Sequence, residues 1–425
     1  MIRILQITVV LIGLGSFAMA QVGIERHNLP DVKIQKFVLF NDNSGLNWTD
    51  KENLIRTTGG TPLMRIELIN AVVASFPQGI KGSLSSNPEV DQIVNDDTAH
   101  LLAFEEENPP AEEPASQKRQ WGIDRVKAPQ AWNKTKGEGA KVCVVDSGGE
   151  LTHPDIAANI YGGKNFSGEG DETNYNDELG HGTHVSGIIA AIDNNEGTIG
   201  VAPKAQLYEA RVFGKSGSTS YSIVIAGIDW CAANDMDVIN MSLGGPKNTA
   251  LGIAVKKAHA KGVIIVAAAG NDYGRAVGYP AAYPEVIAVS ASDINDKIAY
   301  FSSKGPEVDL IAPGHQILAP YIGGGYDSLS GTSMACPHVA GVAALYVSAN
   351  PNASNKEVKK ALEANARNIG LPKNEQGKGM ADIAKALGIY AVKAMEKTFK
   401  NFSNMKTPAY NQVQETFENL QKIFN

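Results

Sequence analysis

The chain has 425 residues, of which 43% are hydrophobic, and its 38 basic and 45 acidic side chains give a net charge of −7. This length and composition allow two or three domains with a sizeable core. The isoelectric point near 5.7 excludes a strongly basic footprint, so we expect no nucleic-acid partner.

The N-terminal residues have the pattern of an export signal. Arg3 supplies a positive charge, residues 4–14 are mostly apolar, and Ala18-Met19-Ala20 resembles a small-x-small cleavage site. A membrane anchor is the alternative, but the apolar run is too short to span a bilayer comfortably. We therefore predict a signal peptide over residues 1–20, secretion to an extracellular or periplasmic location, and no membrane span in the mature form.

The next segment has a pattern of its own. Residues 32–40 alternate like a strand, residues 63–76 offer two strand-like pieces around Ile69-Asn70, and residues 79–86 suit a short helix. Residues 105–117 follow and are rich in Glu and Pro. Such a composition cannot bury a core, so we expect an extended, exposed and cleavable linker there.

From residue 142 onward, short β-branched runs alternate with helical patterns. The strand-like runs are residues 142–145, 206–212, 238–242, 263–268 and 286–290, and the helical ones are residues 181–191, 221–233, 249–261 and 333–348. This alternation predicts an α/β domain with a mainly parallel sheet covered on both faces. Functional residues are expected after the carboxyl ends of its strands, and Asp146 stands at such a place.

Three motifs supply residue types for nucleophilic catalysis. Ser333 lies in Gly-Thr-Ser-Met-Ala-Cys-Pro-His-Val-Ala-Gly at a predicted helix start, where backbone N–H groups and the helix dipole favour an oxygen that gains negative charge. Asp146 lies in Val-Val-Asp-Ser-Gly, and His181 lies in Gly-His-Gly-Thr-His-Val. An imidazole can take the proton of a hydroxyl near neutral pH, and a carboxylate can orient that imidazole.

These motifs, in the order Asp, His, Ser, resemble those of the subtilisin-like serine proteases (the subtilases). The likeness runs from about Trp121 to Leu387. It implies a subtilisin-like three-layer fold over residues 118–388 and a serine endopeptidase with Ser333 as nucleophile, His181 as base and Asp146 as the orienting carboxylate. It also implies that Asn271, in Val-Ala-Ala-Ala-Gly-Asn, donates a hydrogen bond to the oxyanion.

A weaker likeness covers the segment before the linker. From Ile69 to Phe104 it resembles the inhibitory I9-type propeptide of subtilases, which implies a small α+β domain over residues 21–104. Such a domain assists folding, inhibits its own enzyme and lays its C-terminal strand in the active site; an unrelated domain is the alternative. Self-cleavage after Phe104 is one hypothesis for maturation, since a large apolar residue there matches the family's usual preference. Lys118-Arg119 offers a dibasic site for another enzyme as the second hypothesis, although a solvated charge pair is the favoured interpretation of these two residues.

Substrate binding is also predicted from small residues at strand ends. The stretch around Ser242 leaves main-chain groups open to pair with an extended peptide, and residues 217–219 look like the opposing strand. Small walls without a buried acid predict a roomy apolar pocket that prefers Leu, Phe, Tyr or Met before the cleaved bond. The expected substrate-binding residues are Gly217, Ser218, Thr219, Ser242, Leu243, Gly244, Ala268, Gly270 and Gly278.

The resemblance further implies one structural calcium site. The corresponding positions are Gln117, Asp155 and Asn194, with the carbonyl oxygens of Ile192, Glu196 and Thr198. Calcium prefers such hard oxygen donors. A zinc site was the alternative at His181 and His184, one helical turn apart, but no nearby Glu or Cys completes it. The resemblance implies a structural role for His184, and roles in orienting the backbone are favoured for His153 and His338.

Cysteines and the C-terminal residues add little to this assignment. Cys143, Cys231 and Cys336 are odd in number, so at least one thiol stays free unless it pairs between chains. We expect the three to be small buried hydrophobic residues rather than a nucleophile or a disulfide framework. After Leu387 the resemblance stops, and residues 389–425 predict two amphipathic helices. Docking of these helices on the protease is favoured, while partner binding, contact with a membrane surface and a role in export stay open.

Two classes of function remain. The first is a secreted, monomeric serine endopeptidase of broad specificity, made as a self-processed zymogen that acts on protein or peptide substrates. The second is a non-catalytic scaffold that keeps the fold and binds peptides or its own propeptide. The presence of Asp146, His181, Ser333 and Asn271 favours the enzyme.

Overall fold

The computed structural model describes residues 33–77, 82–105 and 116–390. The predicted signal peptide, most of the acidic linker and nearly all of the C-terminal extension lie outside the described residues. Within the described ranges, no helix combines the length and the apolar character needed to cross a membrane.

The described elements divide at the linker. Before it lie β1 (Ile34–Phe40), α1 (Trp48–Thr57), β2 (Thr61–Ile66), β3 (Ala71–Phe76), α2 (Gly82–Ser85), β4 (Val90–Asn95), β5 (Thr98–Leu101) and β6 (Phe104–Glu105). After it, the strands are β7 (Lys141–Asp146), β8 (Ile160–Asn165), β9 (Gln206–Arg211), β10 (Ser218–Ser220), β11 (Val238–Met241), β12 (Leu243–Gly244), β13 (Ile264–Ala268), β14 (Val286–Ser292), β15 (Leu310–Pro313), β16 (Ile317–Tyr321) and β17 (Gly325–Ser330). The helices after the linker are α3 (Trp121–Arg125), α4 (Ala128–Ala131), α5 (His181–Ala190), α6 (Tyr221–Ala233), α7 (Thr249–Ala260), α8 (Thr332–Ala349), α9 (Asn355–Ala364), α10 (Lys373–Gln376) and α11 (Ile383–Ala386).

A seven-stranded sheet forms the centre of the larger domain. Its strand order is β15-β14-β13-β11-β7-β9-β8, and all neighbouring strands pair in parallel. Alternate residues of β7 face opposite sides: Val142 and Val144 join the core formed with α5 and α8, whereas Val145 joins the core formed with α6 and α7. The predicted three-layer α/β fold is confirmed.

Helix α8 lies at the centre of one face. All its residues from Thr332 to Leu345 are buried, and most of them are small or apolar. A helix that is apolar all round belongs in the interior of a large domain, so α8 packs against β11, β13, β14 and β15 and against α5. Its first turn therefore starts in the interior of the molecule, at the carboxyl edge of the sheet.

The N-terminal segment forms a second, antiparallel sheet in the order β2-β3-β1-β4. The two faces of β1 differ in what they contact. Val38 and Phe40 pack with Ile55 of α1, whereas Phe37 and Leu39 belong to the core shared with α6 and α7. The small sheet therefore buries one face under its own helix and the other against the larger domain.

Hydrogen bonds at two helix starts hold the small sheet in place. The carboxylate of Asp96 accepts bonds from the backbone N–H of Ser222 (2.8 Å) and its hydroxyl (2.6 Å) in the first turn of α6. Asn248, the N-cap of α7, donates to the carbonyl of Asn95 (2.9 Å) and to Asp97 (2.8 Å). Carboxylates at helix N-termini are favoured by the helix dipole, so the docking is polar as well as apolar.

The cysteine expectation is wrong for two of the three residues. Cys143 on β7 and Cys231 on α6 form a disulfide with a Cα–Cα distance of 6.0 Å. The two positions are separated by 88 residues, and they meet because Cys143 faces the side of the sheet that α6 covers. Cys336 is buried and free, as expected.

Candidate active site

Asp146 and His181 form a buried pair at the carboxyl edge of the sheet. Asp146 ends β7, and His181 begins α5. Nδ1 of His181 donates to Oδ1 of Asp146 at 2.7 Å, so the imidazole carries its proton on Nδ1 and Nε2 is the basic nitrogen. In the described part of the chain, that Nε2 is buried and has no hydrogen-bond partner. The pair therefore offers an oriented base.

Ser333 occupies the second position of α8. Its hydroxyl donates to the carbonyl of Ser242 at 2.9 Å, and the hydroxyl of Ser242 donates back to the carbonyl of Ser333 at 2.9 Å. This reciprocal pair fastens the helix start to the end of β11. The hydroxyl proton of Ser333 is thus directed to Ser242 rather than to His181; bonds of this kind often tighten only when the reacting complex forms.

Two N–H donors converge on one carbonyl oxygen. Nδ2 of Asn271 lies 2.6 Å from the carbonyl oxygen of Leu102, and the backbone nitrogen of Ser333 lies 3.3 Å from it. Gly331 makes room for this contact, because a Cβ there would collide with the same oxygen. Donors fixed in this way can stabilise negative charge on a carbonyl oxygen.

The residues before Leu102 lie between two strand edges. Strand β5 pairs antiparallel with β10, with His100 opposite Ser218 and Ala99 opposite Thr219. On its other side it pairs with β12, where Leu101 is opposite Leu243. Gly217 contributes its carbonyl, which accepts from the backbone N–H of Leu101 at 3.3 Å.

The residues after Leu102 pair with a third edge. Strand β6 is antiparallel to β17, with Phe104 opposite Ser330 and Glu105 opposite Leu329. An extended stretch of the chain therefore crosses the site, with the Leu102–Ala103 peptide bond next to Ser333. The strand registers therefore place the carbonyl of Leu102, and not that of Phe104, at the donors of Asn271 and Ser333. The bond after Phe104, which residue size favours for cleavage, lies two residues further along the chain.

The small residues predicted to line a pocket follow the ends of β11 and β13. A Cβ at Gly244 would lie 2.9 Å from Cδ1 of Leu102, so the absence of a side chain there makes room for that leucine. Ala268 ends β13 and is buried. Gly278 N–H bonds to the carbonyl of Ala269 (2.9 Å), and Gly270 N–H bonds to the hydroxyl of Thr332 (3.2 Å). Of these residues, Gly270 is bonded to Thr332 and directly precedes Asn271 in the chain.

Oxygen atoms gather around the side chain of Gln117. Its Nε2 lies 2.6 Å from the carbonyl of Ile192, 3.1 Å from that of Thr198 and 3.2 Å from Oδ1 of Asn194. The O and N atoms of a side-chain amide exchange places when the amide is turned by 180°. In that orientation Oε1 of Gln117 would face the same three oxygen atoms and could bind a cation with them. Glu196 joins the loop through its backbone N–H, which donates to Asn194 (2.9 Å).

A buried carboxylate completes this oxygen cluster. Asp155 accepts from Nδ2 of Asn194 (2.9 Å) and from the backbone N–H of Thr198 (2.7 Å). Among the described residues, no group of three or more His, Cys, Asp or Glu could hold a metal ion. A cation here would depend on carbonyl and amide oxygens together with one carboxylate, which is a donor set that suits calcium rather than zinc.

The other histidines of the motifs bond to the backbone. Nε2 of His184 lies 2.9 Å from the carbonyl of Ile317, and burial lowers the pKa of His184 to about 3. Nδ1 of His338 lies 2.8 Å from the carbonyl of Met334, and burial lowers the pKa of His338 to about 4. Both imidazoles are therefore neutral, and these contacts fit the structural role expected for His184 and the backbone-orienting role expected for His338.

Among the buried titratable residues that the sequence analysis did not single out, Glu209 is affected by the charge of Asp146 at the site. Glu209 lies in β9 with no exposed surface, and its Oε1 accepts from the hydroxyl of Ser186 on α5 at 2.7 Å. Burial raises the pKa of Glu209 to about 8, and the charge of Asp146 adds to this effect. The available signal was an acidic residue in the middle of a strand-like run, between Tyr208 and Ala210.

Comparison with known proteins places these observations in a family. The profile of the subtilase family matches residues 137–379. Subtilisin E of Bacillus subtilis (strain 168) is 40% identical over 350 residues, which cover 81% of this chain and 87% of that protein. Subtilisin of Bacillus pumilus is 45% identical over 273 residues, 63% of this chain and 98% of that one. M-protease of Shouchella clausii (strain KSM-K16) is 46% identical over 268 residues, 63% of this chain and 69% of its own length.

Proposed function

This chain belongs to the subtilase family of serine endopeptidases, and we propose that Asp146, His181 and Ser333 are its catalytic triad. The supporting geometry is the 2.7 Å bond between His181 and Asp146 and the position of Ser333 beside a presented peptide carbonyl. Asn271 is the side-chain donor to the oxyanion. Peptide substrates follow from the family.

In the proposed reaction, His181 Nε2 takes the proton of Ser333 as its Oγ attacks the carbonyl carbon. Negative charge then develops on the carbonyl oxygen and is stabilised by Asn271 Nδ2 and the Ser333 N–H. Asp146 stabilises the protonated imidazole, which passes its proton to the leaving amine as the C–N bond breaks. Water attacks the resulting acyl-enzyme by the same route, releasing the acid and restoring Ser333.

We further propose that the enzyme is made as a zymogen that cuts itself between Leu102 and Ala103. One observation carries this proposal: the carbonyl oxygen of Leu102 accepts from both Asn271 and Ser333. Residues 98–101 pair with β10 on one side and with β12 on the other. The N-terminal domain therefore blocks the active site until its own peptide bond is cleaved there. This domain is the proposed I9-type propeptide.

The same geometry supports a broad specificity. Main-chain pairing with β10 and β12 depends on the extended conformation of a peptide more than on its sequence. Leu102 packs at Gly244, in keeping with a preference for large apolar side chains before the cleaved bond. We therefore propose that accessible, extended segments of proteins are the substrates.

Location and cofactor belong to the proposal as well. The signal pattern of residues 1–20 supports secretion, and the Cys143–Cys231 disulfide suits an oxidising compartment. The oxygen cluster of Gln117, Asp155 and Asn194 would hold a structural calcium ion, which would neutralise the buried carboxylate and stabilise the loop. We propose a monomer; the docking of the C-terminal extension, residues 389–425, on the protease stays a prediction.

The test compares the secreted wild-type protein with Ser333→Ala. We expect the wild type to lose its N-terminal domain, to yield a fragment beginning at Ala103 or later, and to react with a fluorophosphonate probe. Ser333→Ala should keep the Leu102–Ala103 bond and stay unlabelled. Cleavage of the purified variant at the same bond would contradict self-processing, and absence of labelling in processed wild type would contradict the triad.

A further inference from the structure

Strand β17 carries the only backbone pairing that the described residues show for the chain just after the Leu102–Ala103 bond. Leu329 and Ser330, at the end of β17, pair with β6. If this stretch of the chain binds in the same way as a substrate, the end of β17 pairs with the substrate residues that follow the cleaved bond. We call these residues the leaving segment. This inference therefore rests on the proposed function. The position of β17 then matters for the part of a substrate beyond the cleaved bond.

The other end of β17 is fastened by Tyr326. This tyrosine is 3% exposed, and its hydroxyl donates to Oδ2 of Asp155 at 3.0 Å. The hydroxyl fits closely against Gly197, where any Cβ would overlap it and where the backbone has a φ of +54°. A glycine is favoured at such a position because it adopts this conformation without strain and leaves room for the neighbour.

His153 supports the same end of the strand. Its Nε2 donates to the carbonyl of Gly325 at 2.8 Å, while its Nδ1 accepts from the backbone N–H of Asp155 at 3.1 Å. The rings of His153 and Tyr326 meet edge to face, with centroids 5.3 Å apart. Both side chains are buried, so the start of β17 is joined to residues 153–155 by hydrogen bonds and by ring packing.

We infer that Tyr326 and His153 are positioning residues for the leaving segment of the substrate. Tyr326 is four residues along β17 from Ser330, or roughly 13 Å in an extended strand, and His153 bonds to Gly325, the residue before Tyr326. Both therefore act at a distance from the reacting atoms. By holding the start of β17 they set the place where Leu329 and Ser330 pair with residues after the bond. Substrates without such residues do not depend on them.

Two substrates separate this role from a general effect. The first is Ala-His-Leu-Leu-p-nitroanilide, which has no amino acid after the cleaved bond. The second is an internally quenched peptide containing Ala-His-Leu-Leu-Ala-Phe-Glu-Glu, which continues as this chain does. Both are measured on the self-processed enzyme at one fixed calcium concentration, with kcat and KM determined separately.

For Tyr326→Phe we expect kcat/KM on the long peptide to fall about tenfold, mainly through KM, because a hydrogen bond to a carboxylate is lost. On the anilide it should stay within about twofold. His153→Phe keeps a ring against Tyr326 but loses the bond to Gly325, and it should show the same selective loss. Tyr161→Phe, at an exposed tyrosine on β8, is the matched control and should change neither substrate.

An equal loss on both substrates, or no loss on either for Tyr326→Phe, would overturn the inference. Thermal unfolding of each variant accompanies the kinetics, since a defect in folding lowers both activities together. A wild type that cleaves neither peptide would instead contradict the proposed function.

Discussion

The carbonyl oxygen of Leu102 lies 2.6 Å from Nδ2 of Asn271. Asn271 is itself fixed by Thr332, whose backbone N–H and hydroxyl both donate to its Oδ1 at 2.9 Å. The amide cannot turn without losing these two bonds, so its N–H group stays directed at the carbonyl position. A donor fixed in advance needs no rearrangement when charge develops on that oxygen.

Asn271→Ala should therefore lower kcat about 10²- to 10³-fold while KM changes little, because the lost bond acts mainly on the transition state. Steady-state kinetics with a peptide anilide measures both constants. Asn174→Ala, at an exposed asparagine, is the control. An unchanged kcat would remove Asn271 from the mechanism.

Leu102→Asp should slow the processing of the precursor by at least about tenfold, because a carboxylate would have to enter an apolar pocket without a partner. The matched variant Phe104→Asp places the same charge two residues later and should have a smaller effect. Intact mass and N-terminal sequencing over time measure processing. The reverse ranking of the two variants would favour cleavage after Phe104.

Chelation of calcium should lower the Tm of the Ser333→Ala protein, which is not able to digest itself in our proposal. A free calcium concentration of 100 times the Kd stabilises the folded state by about 2.7 kcal/mol, which shifts the Tm by several degrees. Calcium should restore the Tm, and Asp155→Asn should abolish the response, whereas the exposed Asp171→Asn should keep it. A Tm unmoved by chelation would speak against a calcium ion at Gln117 and Asp155.

Glu209→Gln should stabilise the protein at alkaline pH. The pKa of Glu209 is about 8 in the folded state against an ordinary value of 4.5, so the folded state binds this proton more tightly than the unfolded chain. The stability supplied by the neutral carboxyl is full below about pH 4.5 and is lost as the pH rises to about 8, on the order of a few kcal/mol.

The amide of Gln does not ionise, so the stability of the variant relative to the parent should increase as the pH rises. Thermal unfolding of both proteins in the Ser333→Ala background, at pH 5 and pH 9, measures this difference. Glu172→Gln, at an exposed position, should follow the parent at both values. A difference in Tm that is the same at pH 5 and pH 9 would show that Glu209 is already ionised at the lower pH.

Sequence patterns predicted the fold well where elements are buried and regular. The runs at β7, β11, β13 and β14 are rich in Val or Ile and were predicted, as was β9, which has no β-branched residue of its own. The two outer strands, β8 and β15, were not, because β8 contains two glycines and β15 ends in proline. Such edge strands are held by their neighbours more than by their own propensity.

Features that depend on distant pairs could not be predicted from spacing. Size favoured Phe104 at the cleavage site, but the register of β5 between β10 and β12 decides which carbonyl meets Asn271. The partner of Cys143 was likewise set by the packing of α6 on β7. The triad assignment came from three local motifs, and it stays a prediction until Ser333, His181 and Asp146 are tested.

The disulfide between Cys143 and Cys231 also bears on how long such an enzyme lasts. In a solution of an active protease, any molecule that unfolds locally can be cleaved by its neighbours. The lifetime of the enzyme therefore depends on the rate of unfolding more than on the equilibrium free energy of unfolding. Cys143 lies three residues before Asp146, and α6 is the helix on which the small sheet docks. A covalent bond between β7 and α6 keeps these two layers together even when the packing around them loosens. Loss of the bond should therefore appear first as faster self-digestion during storage, before any change in the rate of substrate cleavage.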